Sequence, residues 1–92
     1  MIARIFTERK NVKAIREFVG DVFPGFTVYN TTGYWQGQRE KSLCIEIDLL
    51  EVYGIGFVVA KGKVKKVCQQ IRGYNRQAAV LVQYIESQTE LI

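Results

Sequence analysis

The chain contains no histidine, and its two cysteines, Cys44 and Cys68, stand apart without a CxxC pair. Acid–base or nucleophilic chemistry would therefore rest on carboxylates, on tyrosines or on the substrate itself. One segment gathers such groups. Residues 26–48 read as two long strands joined around Gly33-Tyr34-Trp35-Gln36-Gly37, with Tyr29, Arg39 and Glu40 set into an alternating apolar pattern. In the second strand Leu43, Ile45, Ile47 and Leu49 are apolar, while Ser42, Cys44, Glu46 and Asp48 between them are mostly polar, the period of a half-buried strand. Glu40 falls on the polar side. In the first strand Phe26 and Val28 mark the core side, so Thr27, Tyr29 and Thr31 point away from it. Tyr29 and Glu40 then share the open face of one sheet, where a carboxylate and a phenol can hold a ligand. A reaction that needs mainly orientation and electrostatics can run on so sparse a site. A bulge at Gly33 would turn every later side chain to the other face, so the pattern leaves the hairpin register open.

The elements that must position these residues follow from the flanking sequence. Residues 2–7 are short and apolar enough for a strand. Asn11 is a plausible N-cap for a helix reaching Phe23, because Val12, Ile15, Phe18, Val19, Val22 and Phe23 share one helical face before Pro24-Gly25 stops it. Residues 52–61 are the least readable: Phe57, Ala60, Val64, Val67, Ile71 and Tyr74 keep a helical spacing from about Gly56, yet residues 57–60 also fit an extra strand. Gly73 lies near the end of that helix, and residues 79–85 form a last apolar strand. The order strand, helix, strand, strand, helix, strand predicts an α+β, ferredoxin-like βαββαβ domain over residues 1–92, a four-stranded antiparallel sheet with both helices on one face. The other face must meet solvent, a ligand or another subunit, and Leu81, Ile85 and Leu91 supply apolar material for it.

Composition sets outer bounds. Ninety-two residues with 48% hydrophobic content and a single proline suit one domain with a modest core, of a size that often gains stability by oligomerising. The apolar runs are too short to cross a bilayer and the first residues lack a secretory apolar region, so a cytoplasmic protein is expected. The cysteines read as packing residues, with neither a metal site nor a disulfide framework indicated. A net charge of +4 reflects in part Lys61, Lys63, Lys65 and Lys66 on one helix, which a solvated helical face explains as well as nucleic acid does.

Two families of this topology are set aside on their motifs. Acylphosphatases carry a glycine-rich phosphate loop after the first strand, whereas Gly54-Ile55-Gly56-Phe57 precedes the second helix here. RNA-recognition motifs stack bases on aromatics of the first and third strands, but the third strand here shows Ser42, Cys44, Glu46 and Asp48, whose carboxylates would repel phosphate. The segment Thr32-Gly33-Tyr34-Trp35, followed by Arg39-Glu40-Lys41-Ser42 and an alternating strand, resembles the central hairpin of phage-encoded S-adenosylmethionine lyases, formerly called hydrolases. Their fold is similar to that of the trimeric PII signalling proteins and CutA. The resemblance covers about the middle third of the chain.

It implies a homotrimer that binds S-adenosylmethionine as substrate between subunits, with no separate cofactor and no metal. The substrate's carboxylate would attack its own γ-carbon, releasing methylthioadenosine and homoserine lactone. The family's glutamate would fall on Glu40 and its tyrosine on Tyr29 as the catalytic pair. Arg39, Tyr34, Trp35 and Thr31 would contact substrate. Each residue also has a plainer role: Glu40 in an exposed ion pair with Arg39 or Lys41, Tyr29 in cross-strand packing, Tyr34 and Trp35 as turn or interface aromatics. Two other functions fit the same sequence. One is a PII-like or CutA-like sensor that binds an adenine nucleotide, with the lysines of residues 61–66 facing phosphates. The other is an interaction module docking a protein on the open face.

Overall fold

The computed structural model describes residues 1–49 and 56–92. In chain order it contains β1 (Ile2–Glu8), α1 (Val12–Gly20), β2 (Thr27–Trp35), β3 (Gln38–Asp48), α2 (Phe57–Asn75) and β4 (Leu81–Ile85). The strands form one antiparallel sheet in the order β2-β3-β1-β4. This is the ferredoxin-like α+β arrangement that the element order predicts.

β1 lies inside the sheet and alternates strictly. Ala3, Ile5 and Thr7 are buried beneath the helices, while Ile2, Arg4 and Phe6 turn to the other face. Ile45 and Ile47 of β3, Ile15 and Val19 of α1, and Val64, Val67 and Ile71 of α2 complete one core. Burying such an aliphatic side chain contributes about 1.5–3 kcal/mol, so this layer, rather than helix propensity, holds α1 and α2 in place.

α1 ends at Gly20 instead of reaching Phe23. The N–H groups of Val22 and Phe23 both donate to the carbonyl of Val19, at 3.1 and 2.8 Å, in a closing turn that still buries the Phe23 ring. Pro24 disfavours helical backbone at Phe23, which makes the turn necessary. Asn11 precedes α1 with φ 55°, in the left-handed region, and its side chain makes no cap bond. It donates instead to Asn75 Oδ1 at 2.9 Å. Gln77 Oε1 accepts from Thr7 Oγ1 and Asn75 Nδ2, at 2.9 and 3.0 Å, so a polar cluster centred on the buried Thr7 and Asn75 ties β1, the start of α1 and the end of α2 together. α2 accordingly runs through Gly73 to Asn75 and closes on Arg76 at φ 54°.

Residues 57–60 belong to α2, whose first turn the Ala60 N–H closes on the Gly56 carbonyl at 2.9 Å. Tyr53, Gly54 and Ile55 of the glycine-rich stretch lie outside the described residues. No helix among the described residues is long and apolar enough to cross a membrane.

Candidate functional site

The hairpin between β2 and β3 turns on Gln36 and Gly37 alone, at φ 50° and 77°. Both values are left-handed, as a tight turn that follows the twist of paired strands requires, and glycine accepts that backbone without a side-chain clash. With so short a turn the register passes Gly33 without a bulge. Thr27 pairs with Glu46, Tyr29 with Cys44, Thr31 with Ser42, Gly33 with Glu40 and Trp35 with Gln38, all on the face away from the helices. Tyr29, Thr31, Trp35 and Glu40 therefore share the open face, as the alternation predicts. Tyr34 and Arg39 pair on the reverse face.

β1 pairs with residues 42–48 of β3, so the distal part of the hairpin continues beyond it as a two-stranded arm. Tyr34 and Trp35, on opposite sides of this arm, are 72% and 67% exposed. Tyr34 and Trp35 thus stand within strand β2, with the turn confined to the two residues after them.

Glu40 is exposed and faces Gly33. The missing side chain leaves a shallow notch between Thr31 and Trp35; a Cβ built on Gly33 would come to 3.5 Å from Ser42 Oγ. At the base of the notch Thr31 Oγ1 and Ser42 Oγ share a hydrogen bond of 2.7 Å. Arg9 braces this row, Nη2 donating to the Thr31 carbonyl at 2.7 Å and Nε to the Ser42 carbonyl at 3.0 Å. Nothing in the strand pattern points to Arg9, because it lies just past the end of β1.

Tyr29 meets a different carboxylate. Its hydroxyl donates to Glu46 Oε1 at 2.8 Å, and the same oxygen accepts from Arg4 Nε at 2.7 Å. Arg4 and Glu46 are direct partners across β1 and β3, and Tyr29 is the diagonal neighbour of Glu46. The adjacent Cys44 thiol, and then the Glu46 carboxylate, hold the Tyr29 phenol well above its usual pKa. Tyr29 is thus a protonated donor at neutral pH. Glu40 lies four residues along β3 from the partner of Tyr29, roughly 13 Å at the rise of a strand. The structure places Tyr29 and Glu40 on one face but brings Tyr29 against Glu46 and Arg4. A lone arginine in the apolar run Ile2-Ala3-Arg4-Ile5-Phe6 is the signal in the sequence that an open-face partner was needed.

The exposed Glu40 carboxylate, the Thr31 and Ser42 hydroxyls beside it and the exposed Tyr29 and Trp35 rings suit an extended, positively charged small molecule, whereas the Glu46 charge is already met by Arg4. Among the described residues no group of three or more histidines, cysteines or carboxylates is placed to hold a metal ion.

No family profile matches this chain. No curated protein matches it either. Solved structures do. A phage SAM lyase in the apo state superimposes with a TM-score of 0.70 at 23% identity, over 88% of this chain and 75% of that one. A phage SAM lyase in complex with S-methyl-5′-thioadenosine gives a TM-score of 0.60 at 26% identity, over 88% and 76%. The designed protein Foldit4, with a TM-score of 0.51 at 18% identity over 95% and 94%, shares the fold alone. The resemblance carried by the hairpin thus has a counterpart in solved structures of the same family.

Proposed function

We propose that this chain degrades S-adenosylmethionine by an intramolecular lyase reaction, giving methylthioadenosine and homoserine lactone, in a site that the open sheet face forms with a neighbouring subunit of a homotrimer. The observation that carries this reading is the likeness to a phage SAM lyase bound to S-methyl-5′-thioadenosine, spanning 88% of the chain that bears Tyr29, Thr31, Trp35 and Glu40 on the sheet face away from the helices.

In the proposed step an oxygen of the substrate's carboxylate attacks its γ-carbon while the bond from that carbon to sulfur breaks. The electron pair goes to sulfur, the sulfonium becomes a neutral thioether, and no proton changes hands. The protein's task is then to fold the substrate so that nucleophile and leaving group lie in line. Because the sulfonium charge is already diminished in the transition state, Glu40 accelerates the step by holding the ammonium or ribose end, rather than by binding sulfur's charge. Thr31 and Trp35 border the same notch. Tyr29, its hydroxyl engaged by Glu46, offers its ring and its remaining acceptor capacity to the substrate. Arg39 and Tyr34, on the reverse side of the arm, would contact a substrate held by the adjacent subunit. The exposed Tyr34 and Trp35 of the protruding arm support contact with a neighbouring subunit, since tryptophan and tyrosine are favoured interface anchors.

The test is incubation of the purified protein with S-adenosylmethionine in oxygen-18 water, with chromatography and mass spectrometry of the products. Methylthioadenosine and unlabelled homoserine lactone are expected. Homoserine formed directly with the heavy isotope at its γ-carbon would establish hydrolysis, and an absence of turnover would overturn the proposal.

A further inference from the structure

On the helix side, at the edge of the sheet opposite the hairpin arm, α2 and the edge strand β4 enclose a groove of about 500 Å3. That is the size of a site for a small organic molecule. Its two walls differ in chemistry. Val80, Val82 and Tyr84 supply apolar surface from the β4 side, while Lys65, Gln69 and Arg72 stand along α2. Spacings of four and three residues put these last three on one helical stripe. Lys61 closes one end, its Nζ lying 4.8 Å from the centre of the Tyr84 ring. Among the described residues that line the groove there is no carboxylate. Burial pushes the Cys68 thiol there up to about 11, so it stays neutral and extends the apolar surface.

We propose that this groove binds a small organic anion with an apolar body, its carboxylate or phosphate held by Lys65 and Arg72 and its body laid on Val80, Val82 and Tyr84. Arg72 offers the planar fork that pairs with either headgroup, Lys65 a mobile point charge, and Gln69 between them a neutral donor. Three cations, with no carboxylate among the described lining residues, disfavour a sulfonium or ammonium ligand, so the groove selects for the opposite charge from the one Glu40 would hold on the open face. The same headgroup chemistry is carried by acyl carboxylates and by nucleoside monophosphates.

Octanoate and adenosine 5′-monophosphate, each titrated into the nitrogen-15-labelled protein, distinguish these sources, with octanamide and adenosine as the uncharged counterparts. Saturable amide shifts confined to residues 61–72 and 79–84 are expected with at least one anion, about tenfold weaker or absent with its neutral counterpart. The anion that binds identifies the source. Lys65 and Arg72 are exposed, so the K65E/R72E double variant keeps its circular dichroism spectrum and loses binding about tenfold or more. Absence of localised shifts with both anions at millimolar concentration, equal binding of the neutral counterparts, or unchanged affinity in the folded double variant would each overturn the proposal.

Discussion

Replacing Glu40 and Glu46 in turn by glutamine separates a carboxylate used on substrate from one used in the fold. Glu40 is exposed on the hairpin arm opposite Gly33. Glutamine keeps its size and most of its hydrogen-bonding capacity, so Glu40→Gln should change stability by no more than about 0.5 kcal/mol. Glu46 is half-buried and accepts from both Arg4 and Tyr29 through one oxygen. Removing its charge leaves Arg4 without a counterion and weakens the Tyr29 bond, a loss of about 1 kcal/mol for a partly exposed pair. In a domain of this size that lowers the melting temperature by about 4–8 °C. Activity should rank the other way. Glu40→Gln is expected to remain folded and to keep the assembly of the unsubstituted protein while kcat/KM for methylthioadenosine formation falls at least about 100-fold, equivalent to about 2.7 kcal/mol of transition-state stabilisation. Glu46→Gln should lose less. Thermal melts and product chromatography on the two variants decide the matter. Near-normal turnover in Glu40→Gln would refute the assignment, and a collapse of activity in Glu46→Gln alone would move the role to the carboxylate that Tyr29 contacts. A melting temperature that falls equally in both would show that Glu40 is structurally engaged.

Three further outcomes follow from other parts of the molecule. Truncating both exposed aromatics of the arm, Tyr34→Ala with Trp35→Ala, should dissociate the proposed trimer and abolish turnover while leaving the fold intact, because each such anchor can contribute about 2 kcal/mol to an interface; sedimentation velocity of both proteins reads the assembly, and an unchanged sedimentation coefficient would exclude the arm from any interface. Asn75→Ala removes the acceptor of Asn11 and a donor to Gln77 in a buried setting, so urea unfolding should show a loss of about 2 kcal/mol, and a neutral result would mean that water replaces the amide. The Cys68 thiol, raised by burial from 9.0 to about 11, keeps its proton in the folded chain after the unfolded chain has released it. Its contribution is fully present below pH 9 and declines as pH rises through about 11, and Cys68→Val should flatten that part of the stability profile measured in reductant.

Much of the architecture can be read from local pattern. The alternation of Leu43, Ile45 and Ile47, the helical spacing of Ile15 and Val19, and that of Val64, Val67 and Ile71 each record a burial constraint repeated along one element. Such repetition survives in a single sequence, and the order of elements then leaves few ways to cover one sheet face. It also assigns Tyr29, Thr31 and Glu40 to the open face, because side chains of a strand alternate whatever the strand pairs with. What the pattern could not supply is distance between elements. The two-residue turn at Gln36 and Gly37 sets the register, and the register alone puts Gly33 beside Glu40 and separates Glu40 from Tyr29. The bond from Tyr29 to Glu46 and the ion pair from Arg4 to Glu46 join three strands, and the Asn11 side chain turns from capping α1 to meet Asn75, 64 residues away in sequence. The sequence by itself therefore determined which side chains share a face within each regular stretch, since that depends on near neighbours and the period of the backbone, while the bulge-free passage of Gly33 that puts Glu40 on the face of Tyr29 was decided by the folded register. Which residues touch was decided only by the tertiary structure, because a hydrogen bond of under 3 Å depends on register and layer packing that no local period encodes.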